Sequence, residues 1–90
     1  MAVVVRTDGT KDALQPKNNK VFTLEELKSV VGGYIEIVQL TEDYLMVINE
    51  EGKLLNLPIN VIATRMYRAS RNTEDFIVGN VLICSNKEIE

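Results

Sequence analysis

Residues 22–33 carry a full set of start and stop signals for one short helix, and the rest of the chain has to be built around it. Thr23 and Glu26 fit a Thr-x-x-Glu capping box, in which each side chain accepts from the other residue's backbone N–H, with Phe22 and Leu27 at the two staple positions. Leu24, Leu27 and Val31 fall on one face at helical spacing, and Val30 joins them at its edge. Gly32-Gly33 ends the helix, because glycine enters the left-handed region without a Cβ penalty. A helix of about two turns does not hold itself together in water, so its apolar face demands a sheet beneath it.

The remaining apolar segments supply that sheet. Val3 to Arg6 is a β-branched run, and Asp8-Gly9 after it is the turn chemistry of a hairpin with residues 11–15, which Pro16 stops. Residues 34–40 and 44–49 read as a second hairpin across Thr41-Glu42-Asp43. The polar turn Asn49-Glu50-Glu51-Gly52 then leads to a third short strand at Lys53, Leu54 and Leu55, completing a central three-stranded meander. Asn60 is placed as the N-cap of a second short helix bearing Val61, Ile62, Met66 and Tyr67. Phe76-Ile77-Val78 and Val81-Leu82-Ile83-Cys84 read as strand, with Gly79 marking a bulge, bend or close backbone approach. The expected fold is α+β: a small mixed or antiparallel sheet of about five to six short strands with two short helices. One domain spans residues 1–90, divided into an N-terminal hairpin and loop (1–20), a core (21–84) and a frayed acidic tail (85–90).

Composition narrows the chemistry. A hydrophobic share of 46% and a charged share of 26% are those of a globular chain that folds unaided or as a small homo-oligomer. Histidine is absent, which removes imidazole acid–base catalysis, His-activated nucleophiles and His-ligated metals. Cys84 is the one cysteine, so no intrachain disulfide and no cysteine-based metal cluster can form, and its apolar neighbours point to a buried thiol. No catalytic residues, metal ligands or cofactors are assigned. The formal charge of −3 disfavours a general nucleic-acid coat, which needs many cations against phosphates. No segment approaches the roughly 20 apolar residues that cross a bilayer, and no basic, apolar leader opens the sequence, so a cytoplasmic location is expected.

Several clusters invite a functional reading. Arg65, Arg68 and Arg71 recur every third residue beside Tyr67, and could grip a phosphate backbone, a nucleotide or an acidic partner through bidentate contacts; a solvated helix face explains the same charges. These four residues are the chain's best binding candidates. Gly32-Gly33 follows a helix rather than preceding one, so the negative end of the dipole would repel phosphate there. Glu42-Asp43 and Glu50-Glu51 belong to turns at opposite ends of one strand, too far apart to share a metal. Tyr34 and Tyr44 could stack on a base, but residues at strand starts more often close a core edge.

Through Val31-Gly32-Gly33-Tyr34-Ile35-Glu36-Ile37-Val38, then Asn49-Glu50-Glu51-Gly52-Lys53-Leu54, Leu57-Pro58-Ile59-Asn60 and Ile77-Val78-Gly79-Asn80-Val81-Leu82-Ile83, the chain resembles a family of small bacterial and bacteriophage proteins, domain of unknown function 3846. The likeness runs from about Phe22 to Cys84 and does not draw on residues 60–72. It implies a small accessory protein of phages or mobile elements and brings no activity onto named residues. Three function classes follow. The leading one is a non-enzymatic module that binds a host or element-encoded protein, with sheet edges able to pair with another chain. The second is nucleic-acid or nucleotide recognition by the arginines. The third is an enzyme working through carboxylate or lysine chemistry.

Overall fold

A computed structural model describes residues 2–89. Five strands, β1 (Ala2–Val5), β2 (Lys11–Leu14), β3 (Ile35–Gln39), β4 (Tyr44–Asn49) and β5 (Val81–Ser85), form one antiparallel sheet in the order β2-β1-β5-β4-β3. Two helices, α1 (Leu24–Val31) and α2 (Val61–Ser70), accompany it. The fold is therefore α+β with a small sheet and two short helices.

Side chains alternate across a strand, and here both sides are apolar. Val4, Leu45, Val47, Leu82 and Cys84 face one way and pack under Phe22, Leu27 and Val31 of the α1 segment. Val5, Met46 and Val81 face the other way, with Val38, beneath Ala63 of α2. That is why residues 44–48 and 81–84 read as unbroken apolar runs: a strand covered on both faces shows no polar alternation.

The local signals around α1 are realised. The Glu26 amide donates to Thr23 Oγ1 at 3.2 Å and the Thr23 amide to Glu26 Oε1 at 3.0 Å. Gly32 adopts φ 81° and donates its N–H to the Lys28 carbonyl at 2.7 Å. Leu24 departs from expectation: it sits in the first turn and is exposed, so Leu27 and Val31 alone of that trio reach the core. The β1–β2 hairpin closes across Gly9 at φ 89°.

The central meander is corrected. Residues 53–55 form a turn rather than a third strand, with Leu54 82% exposed, and the second neighbour of β4 is β5 from the far end of the chain. Gly52 permits this. A Cβ there would lie 2.7 Å from Val78 Cγ2, so the backbone can come this close to residue 78 because the position is glycine. Phe76 to Val78 likewise makes only the isolated bridge Ile59↔Val78. Gly79 supplies the bend between that bridge and β5, at φ 79°.

Residues 85–89 are not a frayed end. Ser85 caps a single 3-10 turn over Asn86–Glu88 in its own capping box, Phe22 N–H donates to the Glu88 carbonyl at 2.7 Å, and Ile89 packs on the α1-side core. The acidic composition suggested solvent, but the Ser-x-x-Glu pattern at 85–88 is a stop-and-turn signal.

Candidate binding surface

α2 begins at a fully buried asparagine. Asn60 Oδ1 accepts from the Ala63 amide at 3.0 Å, while its Nδ2 donates to the carbonyls of Val5 at 3.0 Å and Gly79 at 2.9 Å. One side chain thus caps the helix and ties it to the end of β1 and the bend before β5. Thr64, one turn on, exchanges hydrogen bonds with the backbone of Ile77. The orientation of α2 is therefore set by polar contacts on its first turn, and this decides where its arginines point.

The arginines do not form one stripe. Arg65 and Arg68 line a groove of about 310 Å³ with Ile59, Val61, Thr64 and Phe76. The Arg68 guanidinium donates to the carbonyls of Glu74 at 2.7 Å and Asp75 at 2.9 Å, so it braces the loop after α2. Arg65 is exposed and makes no ion pair with the described residues. Arg71 lies past the end of the helix in extended backbone, donates to the Gln39 carbonyl of β3, and stacks 4.8 Å from the Tyr67 ring centroid. Tyr67 itself packs against the α2-side core. A phosphate-binding stripe would need all three guanidinium groups on one side; the fold brings two together and sends the third to a sheet edge.

What sequence reading missed is the apolar floor of that groove. Val61, placed on the second helix by the sequence without a face assigned to it, is 54% exposed, as is Ile59. The signal was present, since Val61, Arg65 and Arg68 stand at i, i+4 and i+7 and so share a helix face. Phe76 extends the floor into a neighbouring cavity with Leu54, where Lys53 Nζ sits 4.5 Å over its ring. A contiguous run of exposed apolar side chains with cations at its margin results.

The neighbouring cavity, about 170 Å³, gathers Glu36, Glu50, Lys53, Tyr67 and Asp75. Lys53 pairs with Asp75, and this contact, with the Phe76 amide, holds the Asp75 carboxyl below its ordinary value. A carboxylate stabilised in that way is a weak base at neutral pH. The turns bearing Glu42-Asp43 and Glu50-Glu51 sit at opposite ends of β4, and among the described residues no group of three or more His, Cys, Asp or Glu side chains could hold a metal ion. Gly32 is a helix C-cap, as its position predicted. Tyr34 and Tyr44 are both exposed rather than closing a core edge; Lys28 Nζ lies 5.1 Å from the Tyr34 ring. Cys84 is buried against α1, and burial, with the Glu88 carboxylate adding to it, pushes its thiol up to about 11. No helix among the described residues is long and apolar enough to cross a membrane.

Comparison with known proteins follows the resemblance noted in the sequence. A family model described as domain of unknown function (DUF3846) matches residues 1–90, the whole chain. The chain belongs to the DUF3846 family. The match extends the likeness in both directions, over the β1–β2 hairpin, the 3-10 turn and residues 60–72, where the arginines lie. Searches of curated proteins and of solved structures gave no match.

Proposed function

We propose that this chain is a non-catalytic protein-binding module whose contact surface is the groove of Ile59, Val61, Arg65, Arg68 and Phe76. Its partner, a host or element-encoded protein, presents apolar side chains flanked by carboxylates. The observation that carries this reading is one of contrast. A chain with a formal charge of −3 sets exposed Ile59, Val61 and Phe76 beside Arg65 and Arg68, where an apolar anchor can be desolvated and an acidic flank met by cations. The absence of histidine and the spent Lys53–Asp75 pair support a binding role over bond-making chemistry. The mobile-element origin belongs to this reading through the family resemblance alone, and the gene neighbourhood tests it.

The direct test compares the wild-type chain with Val61→Asp, Arg65→Glu and a distant control, Lys11→Glu, as baits. Proteins retained by the wild type are identified, purified and bound again in isolation. Loss of that binding in Val61→Asp and Arg65→Glu, with Lys11→Glu unaffected, is expected. Equal binding by all four baits would overturn the assignment of the surface.

A further inference from the structure

The sheet ends in two edges that are built differently. In an antiparallel pair, residues alternate between those that exchange both hydrogen bonds with the neighbour and those whose N–H and C=O point away. The Glu50 amide donates to the Tyr34 carbonyl at 2.9 Å and the Leu40 amide to the Tyr44 carbonyl at 3.0 Å, so Tyr34, Glu36, Val38 and Leu40 face β4. Ile35, Ile37 and Gln39 therefore turn their backbone groups outward. The same reasoning from Arg6 N–H to the Thr10 carbonyl gives Lys11 and Ala13 as the outward residues of β2. That edge carries the exposed charges of Lys11 and Asp12 and stops at Pro16, which are common defences against strand addition. β3 itself carries Ile37, 46% exposed, and a single charge, Glu36, while Arg71 reaches its edge at the Gln39 carbonyl.

We propose that the β3 edge is a self-association surface, on which a second copy of this chain pairs antiparallel about a two-fold axis at Ile37 to give one continuous ten-stranded sheet. Charge complementarity argues for this occupant and against the neighbouring register at Glu36. Outward residues must meet outward residues. An axis at Glu36 would set two carboxylates directly opposite, which is repulsive. An axis at Ile37 pairs Ile37 with itself and Ile35 with Gln39 of the other copy, and Glu36 then opposes Val38. In that register the Arg71 guanidinium, held at the Gln39 carbonyl, comes beside Ile35 and Glu36 of the opposite copy. Arg71 stacks on Tyr67 and Glu36 lines the cavity that contains Tyr67, so both lie on the α2 side of the sheet. Two Glu36–Arg71 pairs form by symmetry, and the Gln39 carbonyl can accept from Arg71 and from Ile35 at once through its two lone pairs. Pairing β3 with β2 of another copy would instead propagate without closing. This edge is separate from the Arg65 groove, and the two proposals stand or fall independently.

Sedimentation or light scattering of the full chain between about 1 µM and 1 mM tests it, the range in which a modest interface is measurable. The expected species has twice the chain mass of 10.1 kDa. Glu36→Arg and Arg71→Glu each weaken it by about tenfold or more, because two pairs become repulsive together, and the double exchange restores it. Ile37→Cys gives a disulfide-linked dimer under mild oxidation, since facing residues lie about 5.5 Å apart and within disulfide reach; buried Cys84 does not take part. Circular dichroism confirms that each variant is folded. A monomer throughout, a species larger than a dimer, or a dimer indifferent to Glu36→Arg and not linked through residue 37 would each overturn the proposal.

Discussion

The two faces of the sheet are held by different physics. On one side α1 buries Leu27 and Val31, with Phe22 inserted just before its cap, and the residues beneath them are aliphatic apart from Cys84. On the other, α2 buries only Ala63 and Thr64. Its larger side chains Ile62, Met66 and Tyr67 are partly covered, and Asn60 and Thr64 fix it through hydrogen bonds. A groove of about 310 Å³ lined by Val3, Val5, Ile62, Met66 and Ile83 remains along its flank. Hydrophobic packing is non-directional and seals a face; hydrogen bonds are directional and place a helix without covering what lies under it. Both sides have a buried core and a groove, that beside α1 being about 430 Å³ and lined in part by Val4, Leu14 and Val30. The contrast lies in how the helices are held, and the α2 side is where exposed apolar surface and arginines are displayed together.

The sharpest way to break this contrast is a pair of truncations. Phe22→Ala removes a fully buried ring from the α1 side and is expected to cost about 4 kcal/mol. Met66→Ala, at the margin of the open groove, is expected to cost about 1 kcal/mol, because the groove already exposes part of the side chain. Urea unfolding followed by circular dichroism measures both. Equal losses would show that the α2 side is packed as tightly as the other.

Asn60 comes next. Asn60→Ala removes the N-cap of α2 and takes a donor from two carbonyls in one step, for an expected loss of about 3 kcal/mol. The companion Thr23→Ala removes a cap from α1, whose position packing also enforces, and should cost about 1 kcal/mol. If the two losses were alike, Asn60 would be an ordinary cap and not the joint between α2, β1 and the Gly79 bend.

The same division explains what could be read in advance. α1, its cap and its glycine stop were legible because every signal is local, within residues 22–33. So were the two hairpins and the cap of α2. The place of β5 between β1 and β4 was not legible, because it depends on pairing Met46 with Ile83 across a long stretch of chain. Residues 53–55 misled for a related reason: their apolar character suits a strand, but the close approach of Gly52 to Val78 is a tertiary fact. At the surface, the spacing of the arginines was visible while their partners were not. The carbonyls of Gln39, Glu74 and Asp75 that engage Arg71 and Arg68 lie on other elements, and main-chain acceptors leave no mark in side-chain sequence.

The smallest effect is read through pH. The amides of Thr23 and Lys17 donate to the Glu26 carboxylate and hold it below its ordinary value of 4.5. A carboxyl group whose pKa is lowered by folding contributes stability above its unfolded value and loses that contribution as pH falls through the folded one. This contribution should therefore be complete above about pH 5 and decline below pH 4.5. Asp75, on the α2 side and lowered by Lys53, adds to the same decline. Glu26→Gln keeps an oxygen to accept from Thr23 but cannot titrate. The variant should be slightly less stable at neutral pH, decline less steeply in acid, and converge with the wild type where Glu26 is protonated. Curves that stayed parallel down to acid would mean that the α1 cap owes nothing to the charge of Glu26, and that packing of Phe22 and Leu27 alone fixes the start of that helix.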